Sequence, residues 1–166
     1  GTTARLMLGL LSGLNLCAKI VGDSSLSNRP MDRVIEPLSF MGASLSSVNN
    51  KLPIFINKTK QLMPIEYTLP ISSAQVKSSI LFASLYTKGL TKIYEKYKSR
   101  DHTEIMLKEF GFKISKKDSI NISNPSFRAN KIKMDIPGDP SSAAFLIAAA
   151  VMIPGSKLSL KNILCN

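Results

Sequence analysis

Three stretches of the chain share one design and recur at an almost constant interval. Each begins with small residues, mostly hydroxyl-bearing, and continues as an apolar helical run: GTTARLMLGLLSG, SSAQVKSSILFAS and PSSAAFLIAAAVM. Aligning Thr3, Ser73 and Ser142 gives offsets of 70 and 69 residues. This interval is longer than the repeats of solenoid proteins. It predicts a repeated supersecondary unit of about 70 residues.

A second pair of segments repeats in step with the first. PLSFMGASLS around Gly42 and MLKEFGFKIS around Gly111 are 69 residues apart. In both, an amphipathic helix ends at a glycine, as expected where a helix C-terminus needs a left-handed residue. The order within a unit is a buried helix, a strand, an amphipathic helix and then two or three strands, which indicates an α/β fold built from repeated, incomplete units.

The second unit gives the clearest element boundaries. The segments predicted to be helices are 73–87 and 102–110, and those predicted to be strands are 91–95, 112–115, 119–123 and 131–136.

The net charge of +11 is large for 166 residues and raises the question of an acidic partner. The lysines are spread through the chain as pairs and singles, and they are not interleaved with aromatic residues as in a single-strand nucleic-acid binding face. A solvated lysine-rich surface is the favoured interpretation. A basic cleft for anionic small molecules or nucleic acid is the alternative.

The remaining composition excludes several classes of protein. Cys17 and Cys165 lie in apolar contexts without metal-ligand spacing, so we expect buried, reduced thiols in a cytosolic protein. His102 is the only histidine, which argues against a histidine-centred metal site. No apolar run reaches the roughly 18 residues of a membrane span, and no signal peptide is visible. The chain begins without Met and ends after a strand-like segment, which is typical of an internal segment.

Two of the apolar helices begin in a way that suits an anion. The first N–H groups of a helix are unpaired and carry partial positive charge, so the starts Gly1-Thr2-Thr3 and Ser72-Ser73-Ala74 could cradle an anionic ligand. The alternative is ordinary N-capping by Ser and Thr. Asp139, in the segment PGDPSS, is predicted to be an N-cap of the third apolar helix.

An arginine precedes the second helix of each unit. Arg29 comes just before Pro30, a favoured first helical residue, and Arg100 lies at the matching point of the next unit. Arginine suits bidentate binding of carboxylate or phosphate. The alternative is a surface ion pair with the nearby Asp32 or Asp101. If the units are related by rotation, these helix starts converge on one site for an anionic, phosphorylated small ligand.

Established catalytic patterns are absent from the sequence: there is no Cys/His pair, Ser/His/Asp set, Walker loop or dinucleotide fingerprint. Four motifs nevertheless form a specific set: GTTARLMLGLL, GDSSLSNRPMDRVIEPLSFMGA, SAQVKSSILFASLYTKG with SRDHTEIMLKEFG, and IPGDPSSAAFLIAAA. In order and spacing they resemble the motifs of the 5-enolpyruvylshikimate-3-phosphate synthases. The UDP-N-acetylglucosamine enolpyruvyl transferases are the alternative, but they carry a reactive Cys loop where this chain has Gly22–Ser25 and lack the SRDHTE string.

The resemblance implies a fold of two domains, each an inside-out α/β barrel of three repeated units. Residues 1–137 would then be part of the first domain, and residues 138–166 the hinge and the start of the second. The implied reaction transfers the enolpyruvyl group of phosphoenolpyruvate to the 5-hydroxyl of shikimate 3-phosphate and releases phosphate, without a metal or organic cofactor. The enzyme is expected to be cytoplasmic and monomeric, with no nucleic-acid or membrane partner.

The resemblance also implies binding roles for individual residues. Gly1 and Thr2 match the Gly-Thr beside the phosphoenolpyruvate site, which the family's inhibitor glyphosate also occupies. Arg29 matches the phosphoenolpyruvate-binding arginine of the Arg-Pro motif, and Arg5 matches an arginine near the first helix start.

Shikimate 3-phosphate is assigned to the second unit. Ser73, Ala74 and Gln75 match the Ser-Ala-Gln segment at this substrate, with Ala74 able to donate only its backbone N–H. Arg100 matches an arginine that also reaches it, whereas Lys77 is expected to be structural or at the rim.

No catalytic residue of the family falls within this segment. We therefore predict that the segment carries half a site, is inactive alone, and is marginally stable or associates through exposed apolar helix faces. The main competing hypothesis from another class is a basic nucleic-acid-binding module. A pseudoenzyme that keeps the fold is a third.

Overall fold

The computed structural model describes residues 1–123 and 129–164. The chain divides into two compact units, Gly1–Lys131 and Ile132–Asn166. Cys165 lies outside the described residues.

The first unit contains two successive groups of elements that follow the predicted order. The first group is α1 (Thr2–Ser12), β1 (Ala18–Ile20), α2 (Ser24–Ser27), α3 (Asp32–Phe40), β2 (Leu45–Ser47), β3 (Ile54–Ile56) and β4 (Glu66–Thr68). The second group is α4 (Ala74–Ser84), β5 (Leu90–Tyr94), α5 (His102–Glu109), β6 (Lys113–Lys116) and β7 (Ile120–Ser123).

The two groups build their sheets in the same way, which confirms the repeat. In the first sheet the strand order is β1-β3-β2, and the matching strands of the second sheet have the order β5-β7-β6, with β4 added beside β5. Among the strand ladders of the described residues, the β4–β5 pair is parallel and the other four are antiparallel. Gly42 and Gly111 follow α3 and α5 with φ values of +89° and +91°, so both glycines adopt the predicted left-handed conformation.

The core is organised around the two apolar helices α1 and α4. Residues from Val76 to Ser84 of α4 are buried almost without interruption, whereas α1 buries one stripe that includes Ala4, Leu8 and Gly9. A β-carbon added to Gly9 would lie 2.0 Å from the carbonyl oxygen of Ser79. The backbones of the two helices are therefore in direct contact, and this contact fixes where their N-termini lie relative to each other.

The second unit, Ile132–Asn166, contains α6 (Pro140–Met152) and a parallel bridge between Gly138 and Ile163. Asp139 is the N-cap of α6, as predicted, and its carboxylate accepts hydrogen bonds from the N–H groups of Ser141 and Ser142. Most apolar side chains of α6 are exposed, which agrees with the expectation of an uncovered apolar helix face.

Loss of the Asp139 carboxylate should loosen the first turn of α6. Hydrogen bonds from the Ser142 hydroxyl and the Ser141 N–H hold the pKa of Asp139 below its usual value, so the cap is complete at neutral pH and weakens only as the pH falls below the usual range of an aspartate. We expect Asp139→Ala to speed amide hydrogen exchange at Ser141 and Ser142 at neutral pH. Exchange at wild-type rates would contradict this role.

Three of the predicted elements differ from the structure. Helix 73–87 ends at Ser84, where the chain turns toward β5. Pro30 is not the first residue of α3, because Met31 is fully buried and donates its N–H to the Asn50 carbonyl, which delays the helix to Asp32. Residues 131–136 are mostly exposed and pair with no strand in the described chain, so alternation alone does not make them a strand.

The prediction of a buried Cys17 is also wrong. This thiol is exposed, because it lies in the turn between α1 and β1, at the edge of the first sheet. Within the described ranges, no helix is both long and apolar enough to cross a membrane.

Candidate functional site

The N-termini of α1 and α4 and the segment that leads into α5 surround one cavity of about 550 Å³. It lies within the first unit, Gly1–Lys131. The residues that line it are Thr2, Leu6, Ser72, Ser73, Ala74, Gln75, Ser78, Lys98, Ser99, Arg100, His102 and Thr103. Five of them, Thr2, Ser73, Ala74, Gln75 and Arg100, are among the seven residues that the sequence assigns to substrate binding. The repeat therefore brings these distant residues together.

Both helix starts leave backbone N–H groups directed away from the helix body. Gly1 is the N-cap of α1 and has no side chain with which to cap it. Ser73 is the N-cap of α4, and its hydroxyl accepts a 3.5 Å hydrogen bond from the N–H of Val76. The N–H groups of the first helical residues, including Ala74 and Gln75, have no intrahelical partner. They are suited to binding an anion.

Gln75 connects the two helix starts. Its Nε2 donates to the Thr2 hydroxyl at 2.8 Å, and its Oε1 accepts from Arg5 Nη1 at 2.7 Å. Arg5 Nη2 also donates to the Pro30 carbonyl at 3.2 Å. The amide of Gln75 is thus held in one orientation at the cavity wall, and Arg5 is bound to protein groups on two sides.

Gly1 and Arg29 lie next to this network and are not among the lining residues. A β-carbon added to Gly1 would lie 3.4 Å from Arg29 Nη1 and 3.9 Å from Arg5 Nη1. The two guanidinium groups therefore flank the bare Gly1 backbone. The seven proposed binding residues and Arg5 therefore lie together, either in the cavity wall or directly beside it.

The cavity wall carries positive charge. Lys98 and Arg100 line it, and none of its twelve lining residues is acidic. Within residues 1–123 and 129–164, neither Arg29 nor Arg100 forms an ion pair. The carboxylate of Asp101 is instead paired with Lys116, with 3.6 Å between Asp101 Oδ2 and Lys116 Nζ. The surface ion pair considered for these arginines is therefore not formed, and both guanidinium groups are available to a ligand.

Sequence reasoning missed several residues that build the wall. Among them are Ser78 and Thr103, whose hydroxyls lie 2.7 Å apart. Ser72, whose position at the α4 start was predicted from the sequence, accepts a hydrogen bond from the N–H of Tyr97 at 3.0 Å. Lys98 and His102 also reach the cavity. The sequence signal that could have identified Lys98 and His102 is their position two residues before and after Arg100, in the string KSRDHT. In the part of the chain that the structure describes, no cluster of His, Cys, Asp and Glu could hold a metal ion.

The sequence matches the family of EPSP synthase (3-phosphoshikimate 1-carboxyvinyltransferase) over residues 1–166. Curated proteins named 3-phosphoshikimate 1-carboxyvinyltransferase from Streptococcus equi subsp. zooepidemicus (strain H70) and Streptococcus uberis are each 47% identical over 169 residues. The match covers 100% of this chain and 39% of each relative. The chain thus spans about two fifths of the length of the curated relatives it matches.

Solved structures lead to the same family. Two structures of EPSP synthase from Acinetobacter baumannii superpose with TM-scores of 0.84 and 0.83 at 37% identity, covering 100% of this chain and 38% of theirs. The α/β fold of repeated units is therefore that of these enzymes. Since the family match extends over all 166 residues, the chain belongs to the EPSP synthase family.

Proposed function

We propose that this chain forms the shikimate 3-phosphate half of an enolpyruvyl transferase site. The observation that carries the proposal is the convergence of the α1 start, the α4 start and Arg100 on one basic cavity. The N–H groups of Ala74 and Gln75, the Ser73 hydroxyl and the Arg100 guanidinium would hold the phosphate and hydroxyl groups of the substrate. Gly1, Thr2 and Arg29 would border the phosphoenolpyruvate.

In the complete enzyme, the 5-hydroxyl of shikimate 3-phosphate loses its proton as its oxygen adds to the central carbon of phosphoenolpyruvate, and the methylene carbon gains a proton and becomes a methyl group. The tetrahedral intermediate then loses phosphate and a proton to give the enolpyruvyl ether. The residues of this chain would bind and orient the two anions, which lowers the entropic part of the barrier. We propose that this chain supplies no catalytic acid or base and needs no cofactor.

The wider assignment follows from the same family. We infer a cytoplasmic, monomeric enzyme whose first domain ends near residue 137, with residues 138–166 as the hinge and the start of the second domain. The exposed apolar side chains of α6 support a covering partner within the same enzyme.

Titration of the chain with shikimate 3-phosphate tests the binding half of this proposal. We expect saturable binding of one molecule per chain by isothermal titration calorimetry. Tight, strongly salt-dependent binding of single- or double-stranded DNA, without binding of shikimate 3-phosphate, would favour the nucleic-acid-binding alternative instead.

Arg100→Ala should weaken this binding without affecting folding. A hydrogen bond to a charged group contributes about 1.5–3 kcal/mol, so we expect a loss of roughly tenfold or more in affinity. Arg33→Ala is the matched control, because Arg33 is exposed on α3 and does not line the cavity. Equal affinity of the Arg100 and Arg33 variants would remove Arg100 from the site.

A further inference from the structure

A lysine lies fully buried directly behind the cavity wall. Lys77 is in the first turn of α4, its side chain is 0% exposed, and its Nζ lies 2.8 Å from Glu104 Oε1 and 3.2 Å from Glu95 Oε2. The third group near Nζ is the carbonyl oxygen of Ser99, at 3.5 Å. The ammonium group donates hydrogen bonds to Glu95 and to the Ser99 carbonyl and forms an ion pair with Glu104, whose two buried carboxylate oxygens accept no hydrogen bond within the described residues.

The two carboxylates come from opposite ends of the segment that forms one side of the cavity. Glu95 follows β5 directly, and Glu104 lies in the first turn of α5. Between them lie Lys98, Ser99 and Arg100, all three of which line the cavity. Lys77 therefore fastens both ends of this segment, here called the basic segment (residues 96–103), to the start of α4.

Ser99 is held at the middle of the basic segment. Its hydroxyl donates to Glu95 Oε1, and its carbonyl faces Lys77 Nζ. With Ser99 held at both its side chain and its backbone, the positions of the flanking Lys98 and Arg100 are restricted. The hydrogen bond between the Ser78 and Thr103 hydroxyls ties α4 to the same segment a second time.

The cluster depends on the charge of Lys77. Glu95 and Glu104 are 6% and 4% exposed, so without the ammonium two nearly dry carboxylates would face each other. Removing one partner of a buried ion pair leaves uncompensated charge and is strongly destabilising, so the carboxylates must take up protons or reach water. The part of the fold that would open is the basic segment, because it carries both carboxylates at its ends.

We propose that Lys77 is a positioning residue that holds the basic segment, and with it Arg100, in the conformation that binds the anionic substrate. Lys77 does not touch the ligand and acts through Glu95, Glu104 and Ser99. The inference rests on the proposed function, since it assigns Lys77 to the same shikimate 3-phosphate site.

The test uses Lys77→Met in the 166-residue chain, with shikimate 3-phosphate affinity by calorimetry as one readout. The second readout is the rate of limited tryptic cleavage after Lys98 and Arg100 in the native protein. Ile122→Ala is the matched control, because it truncates a fully buried apolar side chain in β7, a strand that carries none of the charged groups of the cluster. Glu104→Gln is a milder variant that keeps the Lys77–Glu95 pair, and it decides the question if Lys77→Met does not fold.

We expect Lys77→Met to lower the affinity at least about tenfold, because small misplacements of binding groups have large effects. Cleavage after Lys98 and Arg100 should accelerate beyond that of Ile122→Ala, and Glu104→Gln should show a smaller change in the same direction. Wild-type affinity in Lys77→Met, or cleavage no faster than in Ile122→Ala, would overturn the proposal. If the wild-type chain fails to bind shikimate 3-phosphate, the proposed function falls, and the cleavage rates alone decide whether Lys77 holds the segment.

Discussion

Replacing Gly9 with alanine is expected to destabilise the first unit by about 3 kcal/mol and to weaken ligand binding at the same time. A methyl group at this position would lie 2.0 Å from the Ser79 carbonyl oxygen and 2.7 Å from its carbonyl carbon and its hydroxyl. Because the closest atoms belong to the backbone, the helices α1 and α4 must move apart. That movement separates Thr2 and Arg5 from Gln75, so both hydrogen bonds across the cavity wall are strained.

Urea unfolding measures the first effect, and titration with shikimate 3-phosphate measures the second. Thr3→Ala is the matched control, because it makes an equally small change on the exposed part of α1. Ser79→Ala should be neutral or stabilising, since the buried Ser79 hydroxyl has no hydrogen-bond partner among the described residues. It should not rescue Gly9→Ala, because the carbonyl clash remains. A Gly9→Ala protein as stable as wild type would mean that the helices are not in backbone contact.

Gln75→Glu is expected to abolish most substrate binding while the fold stays intact. The new carboxylate would keep the acceptor for Arg5 and have nearly the same shape, so the unfolding midpoint should stay the same or rise slightly. In the cavity, however, it would place a negative charge beside a phosphorylated ligand. Like charges about 4 Å apart repel by roughly 4 kcal/mol at an effective dielectric constant of 20. We therefore expect a loss of about a hundredfold in affinity, or ~2.7 kcal/mol.

Calorimetric titrations at low and high salt check this prediction, because screening should recover part of the affinity. Gln61→Glu is the matched control: it makes the same chemical change at an exposed glutamine outside the cavity lining. An affinity in Gln75→Glu equal to that of Gln61→Glu would place the ligand away from Gln75.

Much of the fold could be predicted from local signals that repeat. The paired helix starts and the glycines at positions 42 and 111 predicted both the length of the unit and the order of its elements. These signals are readable because a helix start or a helix-ending glycine depends on the backbone conformation of only a few residues. Residues 131–136 show the limit of this reasoning. Their pattern is that of a strand, but a strand also requires a neighbour with matching hydrogen-bonding groups, and local sequence does not reveal one.

The candidate site likewise contains residues that could be predicted from the sequence and residues that could not. Ser73, Gln75 and Arg100 could be predicted because each stands at a helix start or in a distinctive motif. The Lys77 cluster could not, since a lysine inside an apolar helix is ambiguous until its partners are known. Glu95 and Glu104 lie 18 and 27 positions away in the sequence. The packing of α5 against α4 brings Glu104 to the ammonium group, whereas Glu95 reaches it from the end of β5.

Amide chemical shifts during titration with shikimate 3-phosphate test the central claim most directly. In ¹⁵N-labelled chain, we expect saturable shifts concentrated at Thr2, Ser73, Ala74, Gln75 and Arg100, with little change in α6. Unchanged spectra at millimolar ligand, or shifts centred on residues away from the cavity, would contradict the account.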